Sequence, residues 1–364
     1  MRVTKLALTN FRSYKNLELE FGPGPITFIG NNGAGKTNIA EALIYLSFLS
    51  SHRVSQNQPL LSLGADQAII RAEIERDGRN LQVDLEINAT RANRARLNQN
   101  PTKSQREILG ALQVIYFSPE DLDLVRGEPT DRRDFLDKLL ITRSPRLAGV
   151  ISDYERVVKQ RNTLLKTRAP ESALAPWTEQ LIKFGAELSA ERVTLVELLE
   201  PFVAANYKNL NEVKPATISY KSSTEGLSQS VEENAKLLTA RQEEVARQEA
   251  DRGVSLVGPH RDDLHLQLGD FPAKGYASHG ESWSMAISLR IGSYNLLKSE
   301  GADPVLILDD IFAELDTARR AQLTSVTMMA EQTFITAAVE SDLPAELLST
   351  KFYVTPGEVK KGQQ

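Results

Sequence analysis

The 364-residue chain contains no cysteine. It therefore has no disulfide framework and no thiolate metal site, which suits a cytosolic protein. Histidine is scarce too. His52, His260, His265 and His279 are the full set, and none of their spacings matches a zinc motif. Long apolar runs are missing. Lys5, Asn10 and Arg12 break the first apolar stretch, and no run approaches the roughly 20 residues of a membrane span, so neither a signal peptide nor a membrane helix is predicted. Positive charge is not in excess: 43 Lys and Arg stand against 48 Asp and Glu, a net charge of −5. A domain that grips nucleic acid over its whole surface is basic, so any DNA contact here must come from a local patch on an acidic body. Aromatic residues make up only 6% of the chain, and no aromatic-interleaved stretch offers a platform for stacked bases. No internal repeat or low-complexity tract is visible beyond the polar tail "EVKKGQQ".

What is present is a core-forming content of 41% hydrophobic residues, ample for two domains or one large domain with an insertion. Residues 1–30 alternate as strands, with a turn at Gly22-Pro23-Gly24-Pro25 before "ITFIG". A helix is predicted from Thr37. A hairpin is predicted over 68–88, with Leu81, Val83, Leu85 and Ile87 at period two and Asp77-Gly78 as its turn. A further strand follows at Arg94–Leu97. Residues 131–250 are rich in helix formers with apolar stripes at helical spacing, and strand signals return at "LHLQL" (264–268) and "PVLILDD" (304–310). The expected organisation is α/β. An ATPase domain is supplied by 1–120 and 256–364, and a helical arm of 121–255 is inserted between its two parts.

"FIGNNGAGKTN" holds the pattern G-x-x-x-x-G-K-T at Gly30, Asn31, Asn32, Gly33, Ala34, Gly35, Lys36 and Thr37. It follows an apolar strand and precedes a helix, the setting a phosphate loop requires. The glycines let main-chain N–H groups wrap phosphates without a Cβ in the way. Lys36 supplies a point charge for the outer phosphates, and Thr37 a hydroxyl for Mg²⁺. The apolar run Val305 to Leu308 ends at Asp309, an acid that belongs beside the magnesium. Asp310 is expected to point to the other face and orient an attacking water. The ligand implied is ATP.

A second small-residue loop, Ser278-His279-Gly280-Glu281, opens a helix about 240 residues later. The order of motifs is phosphate loop, long insertion, Ser-x-Gly-Glu, acid pair, "AELD". It resembles the ABC-type ATPases of the SMC, Rad50 and RecF branch. "LTNFRSYKNLELEF", "FSPEDLDLVRGEPTDRRDFLD", "VGPHRDDL" and "LILDDIFAELD" resemble the RecF family over essentially the whole chain. The insertion is too short for long coiled-coil arms. That resemblance implies an ATPase head of mixed sheet with a smaller helical domain. It also implies an ATP-dependent head-to-tail homodimer, in which Ser278, Gly280 and Glu281 of one copy meet the nucleotide held by the other. It further implies Arg12 near the phosphates, Glu120 or Asp121 near magnesium and water, and Asp316 reaching across the dimer. Three departures stand out. His279 and Ser282-Trp283 replace the family's usual Gln and Gln-Arg. Ala338 and Val339 stand where Thr and Asp are expected, which leaves the γ-phosphate sensor unassigned within 336–340.

The densest basic stretch carries Arg91, Arg94, Arg96, Lys103 and Arg106 against the single acid Glu107. A second lies on the helix with Arg156, Lys159, Arg161, Lys166 and Arg168. Both suit phosphate contacts without base readout. Arg132 and Arg133 match a RecF motif but fit packing equally well. The expected function is an ATP-gated clamp on duplex or gapped DNA, with weak hydrolysis releasing it. The resemblance adds RecO, RecR and RecA as partners in recombinational repair and replication restart, including the DNA damage response. Two other classes would also use these motifs: an ABC transporter ATPase subunit and a soluble phosphotransferase.

Overall fold

A computed structural model of the chain describes residues 1–210 and 213–362. Strands β1 (Arg2–Phe11), β2 (Tyr14–Glu20) and β3 (Gly24–Ile29) lead into helix α1 (Lys36–Phe48). Strands β4 (Gln67–Arg76), β5 (Arg79–Asn88), β6 (Arg94–Leu97), β7 (Asn100–Pro101) and β8 (Val114–Phe117) follow. Helices α2 (Leu122–Arg126), α3 (Pro129–Arg143), α4 (Leu147–Lys166) and α5 (Glu171–Asn209) precede strand β9 (Ala216–Lys221) and helix α6 (Val231–Arg252). Next come β10 (Asp263–Leu268), β11 (Phe271–Pro272), the short turn α7 (Ala273–Tyr276) and helix α8 (His279–Ser299). The chain ends with β12 (Val305–Asp309), α9 (Thr317–Met329), β13 (Gln332–Ala337), β14 (Thr350–Thr355) and β15 (Glu358–Lys361).

Two compact units result. The first comprises Met1–Leu122, Asn209–Asn211 and Trp283–Gln364. Its antiparallel sheet has the order β2-β1-β4-β5-β6-β7, and its second sheet has the order β15-β14-β3-β13-β12-β8. In the second sheet β14, β3, β13, β12 and β8 run parallel, and the apolar runs of β3, β13, β12 and β8 are buried on both faces, while β14 alternates buried and exposed residues. The β4–β5 hairpin turns at Asp77 (φ 51°) and Gly78 (φ 72°), the positive torsions a two-residue hairpin loop demands. Helix α1 is buried along nearly its whole length, from Ile39 to Phe48. Its Ile39 and Leu43 join Leu8 and Ile70 of one sheet and Phe28 and Ile307 of the other in a single core. The "EVKK" of the polar tail is not a tail: it is β15, returned on β14 by a turn at Pro356-Gly357.

The second unit comprises Asp123–Lys208 and Glu212–Ser282, and it carries α3 to α6 and a three-stranded sheet ordered β11-β10-β9. It extends past residue 255, where the sequence placed the end of the arm. The reason is local. "LHLQL" pairs along its length with β9, a strand hidden in a stretch whose composition favours helix. Two parts of the sequence that look unrelated meet inside this unit. Arg132 from "DRRDFLD" forms a two-pronged ion pair with Asp263 from "PHRDDL", at 2.7 and 2.8 Å. Arg133 donates to the carbonyl of Asp262 at 2.8 Å. These arginines hold structure, which is the packing alternative for both.

Candidate nucleotide-binding site

Strand β3 delivers the chain to the glycine-rich loop, and α1 begins at its end with Gly35 in a left-handed conformation (φ 114°). A Cβ at Gly35 would lie 2.7 Å from the Tyr14 hydroxyl and 2.9 Å from Ser13 Oγ, and one at Gly30 would lie 2.2 Å from the Val354 carbonyl oxygen. Space thus requires glycine at both positions, and at Gly35 torsion requires it too. Tyr14 Oη donates to the Gly35 carbonyl at 3.1 Å, and Asn38 Nδ2 donates to Ser13 Oγ at 2.9 Å. The residues after "NFR" therefore clamp the loop from outside. Ala34 is buried under it, while Asn31, Asn32 and Gly33 are exposed.

A cleft of about 450 Å³ opens over this loop, lined by Asn32, Gly33, Lys36, Thr37, Asp310 and Thr336 among others. Lys36 is only 3% exposed, and its Nζ donates to the carbonyls of Gly30 (2.8 Å) and Asn31 (3.3 Å). Asp310 Oδ2 lies 4.0 Å from the same ammonium. Asp309, at the end of β12, is buried and accepts hydrogen bonds at one oxygen from Thr37 Oγ1 (3.1 Å) and Thr336 Oγ1 (2.6 Å). Burial pushes its pKa up to about 6. The nearby Asp310 and Glu120 act in the same direction, and the two threonine hydroxyls against it. A carboxylate held in this way gains from a cation placed beside it. Among the described residues no group of three or more His, Cys, Asp or Glu side chains can hold a metal. Thr37 and Asp309 are hard oxygen donors, and they suit a magnesium ion whose remaining ligands are phosphate and water oxygens.

Asp310 departs from the expected alternation. It turns into the left-handed region (φ 49°) instead of continuing the strand, and its carboxylate joins the cleft wall. The acids of "SPED" part company. Asp121 is buried against Arg290, whose guanidinium donates to it at 2.7 and 3.1 Å and lies 4.3 Å from the Tyr116 ring centre. Glu120 stays exposed. Arg12 is committed to the buried Glu41, with bonds of 2.6 and 2.7 Å, and to the Pro59 carbonyl at 2.8 Å. Arg53, which carried no sequence signal beyond its charge, is the arginine that lines the cleft. It is 42% exposed, and it donates to Asn38 Oδ1 at 3.3 Å.

Ser278 caps α8: its hydroxyl accepts from the Glu281 N–H at 3.2 Å, and Glu281 Oε2 accepts from the Ser278 N–H at 2.8 Å. Lys214 donates to Glu281 at 2.8 Å. That bond, with the Ser278 N–H, pulls the Glu281 carboxyl down to about 2. The exposed surface of this helix end is Ser278 and His279, with Gly280 partly covered. Asp316 caps α9 by accepting from the Arg319 N–H at 3.0 Å, and it pairs with the Arg319 side chain. Arg91, Arg94, Arg96, Lys103 and Arg106 are all exposed. Arg94 and Arg96, however, stand opposite Glu86 and Asp84 on β5. On the second basic helix Arg161 is buried, with bonds to Glu249 (2.7 Å), Ser255 (2.8 Å) and Thr178 (3.0 Å). It is withdrawn from any phosphate-tracking surface.

The fold and this cleft define a P-loop head of the class shared by RecF, RecN and SMC proteins, and a family model described as the RecF/RecN/SMC N terminal domain matches residues 2–353. The chain is 48% identical over 372 residues to the DNA replication and repair protein RecF of Streptomyces avermitilis, covering 99% of this chain and 100% of that one. It is 46% identical over 420 residues to the protein of the same name from a Nocardioides species, covering 100% of both. Among solved structures, the recombination mediator RecF of the RecFOR pathway, in a form described as RecF-ATP, superposes with a TM-score of 0.90 at 26% identity. That match covers 99% of this chain and 97% of that one. An SMC head bound to the winged-helix domain of ScpA gives a TM-score of 0.58 at 15% identity, covering 100% and 97%, a likeness of fold. The chain belongs to the RecF family.

Proposed function

We propose that this chain is an ATP-binding DNA repair protein of the cytoplasm, in which nucleotide joins two copies head to tail around duplex or gapped DNA. The observation that carries this reading is the meeting of Lys36, Thr37 and Asp309 at one glycine-lined cleft. The main-chain N–H groups of the loop receive the phosphates, and Lys36 exchanges its carbonyl partners for the outer phosphate oxygens. Thr37 and Asp309 hold the Mg²⁺ that, when bound, offsets phosphate charge. Asp310 presents a solvent-reaching carboxylate that can take a hydrogen bond from an attacking water, and the exposed Glu120 is the second candidate for that role. Hydrolysis by such a site serves as a slow release step. Ser278 and Gly280 open a helix whose positive end suits the γ-phosphate of the other copy, and Asp316 sits on the loop beyond the acid pair.

Membership of the RecF family supports work with RecO and RecR, because a solved relative is described as a recombination mediator in the RecFOR pathway; delivery of RecA is the proposed purpose of that work. A transporter subunit or a phosphotransferase receives no support from a match that runs from residue 2 to 353. Sedimentation with and without ATP tests the pair of loops. Lys36→Ala should weaken ATP binding by about tenfold or more. Ser278→Arg should leave monomer binding within about threefold while abolishing ATP-dependent dimers. Dimers that persist in Ser278→Arg would remove the head-to-tail reading.

A further inference from the structure

The three-stranded sheet of the second unit has two edges, and they are treated differently. One edge is β11, two residues long and occupied by Pro272. That is an edge blunted by shortness and by a residue that cannot donate. The other is β9, six residues in unbroken register with β10 and without a bulge. No strand pairs with its far side among the described residues.

The orientation of that free side follows from one hydrogen bond. Gly269 N donates to the Pro215 carbonyl at 2.8 Å, which makes 215 and 269 a bonded pair. In an antiparallel ladder bonded and non-bonded pairs alternate. Thr217, Ser219 and Lys221 therefore turn their main-chain groups to β10. Ile218 and Tyr220 turn theirs outward.

Outward lies a groove of about 690 Å³. Four consecutive residues of β9, 218–221, line it, as an open strand edge does when side chains alternate faces. Val193 and Val196 of α5 supply apolar wall, while Glu197, Glu200 and Glu225 outnumber the single base Lys221. The buried Thr224 hydroxyl, also in the lining, has no hydrogen-bond partner. An edge with unpaired main-chain groups, an apolar wall and an acidic rim has one natural complement.

We propose that β9 receives an extended, basic segment of another protein as a fourth strand of this sheet. Main-chain pairing with Ile218 and Tyr220 fixes the segment. Alternate apolar side chains meet the valine wall, and alternate Lys or Arg side chains meet Glu200 and Glu225. Nucleic acid does not fit, since its phosphates would face three carboxylates. A second copy does not fit either, because two like-charged rims would meet.

The test uses the full chain and a fluorescent, end-capped heptapeptide of alternating valine and lysine. Binding should be saturable. Hydrogen exchange resolved to single residues should slow by about tenfold at the amides of Ile218 and Tyr220 and stay unchanged at Thr217 and Ser219. The double variant Glu200→Lys, Glu225→Lys should weaken binding by about tenfold or more. The same peptide N-methylated at alternate residues should not bind. Equal binding of the methylated peptide, an unaltered affinity of the double variant, or absence of the paired protection pattern would overturn the proposal. Protection of Ile218 and Tyr220 that grows with protein concentration alone would assign the edge to a second copy instead.

Discussion

Thr336 donates its hydroxyl to Asp309 Oδ1 at 2.6 Å and accepts the main-chain N–H of Asp310 at 2.9 Å. One side chain thus ties both acids of the cleft. The parallel register of β12 and β13 puts Thr336 directly opposite Asp309, and Thr37 reaches the same oxygen from α1. The second oxygen of Asp309 and the carboxylate of Asp310 are left to serve the ligand. Thr336 opens the segment 336–340, and it acts on the acids themselves.

Replacing Thr336 by valine keeps the shape and removes the hydroxyl. ATP affinity should change by no more than about twofold, because the phosphate loop is untouched. Turnover, measured as phosphate release, should fall by about tenfold, the worth of one strong hydrogen bond to a charged group. Thr336→Ser should restore most of the rate. A valine variant that hydrolyses at the parent rate would show that the tether does not position either acid.

The phosphate loop was legible because its chemistry is local: eight consecutive positions set the torsions and the charge, and Gly30 and Gly35 have no room for a Cβ. The split of Glu120 from Asp121 was not legible. It depends on Arg290, 169 residues away. Arg12 and Arg53 look alike in sequence, and the buried Glu41 separates them only by distance: it holds Arg12 at 2.6 Å and Arg53 at 3.6 Å. Strand β9 is not legible in the sequence, because six alternating residues between two helix-rich segments carry little signal until β10 pairs with them. Arg161 shows the same limit from the other side. A basic residue on an amphipathic helix reads as surface, yet Glu249 and Ser255 draw it into the interior.

The basic stretch 91–106 can be divided by experiment. Arg96 stands opposite Asp84, which also accepts from Arg71 at 2.8 Å, and Arg94 stands opposite Glu86. Their field is partly offset by those acids. Arg91, Lys103 and Arg106 lie outside that cross-strand ladder. Reversing these three to glutamate should weaken duplex binding more than reversing Arg94 and Arg96, and should lower the slope of log affinity against log salt by about 3. An unchanged slope in both variants would move the DNA surface elsewhere.

His260 sets an acid limit on the second unit. Its Nδ1 accepts from the Tyr154 hydroxyl at 2.6 Å, and its Nε2 donates to the Ser255 carbonyl at 3.1 Å, so the ring is held neutral in one tautomer. Burial lowers its pKa from 6.5 to about 4. Arg261 and Arg133 add to that, and the Ser255 carbonyl and Glu249 oppose it. The unfolded chain takes up its proton near pH 6.5 and the folded chain only near 4. Stability from this group is therefore complete above 6.5 and is lost as pH falls toward 4, by up to about 3 kcal/mol. Denaturant unfolding followed between pH 7.5 and 4.5 should show that loss in the parent protein. His260→Gln keeps an acceptor for Tyr154 and a donor for Ser255 but cannot titrate. It should start less stable at pH 7.5 and lose less on acidification, with a proton uptake on unfolding smaller by up to about one. Equal acid slopes in the two proteins would mean that the ring takes its proton in the folded state, and that the bond from Tyr154 breaks without cost.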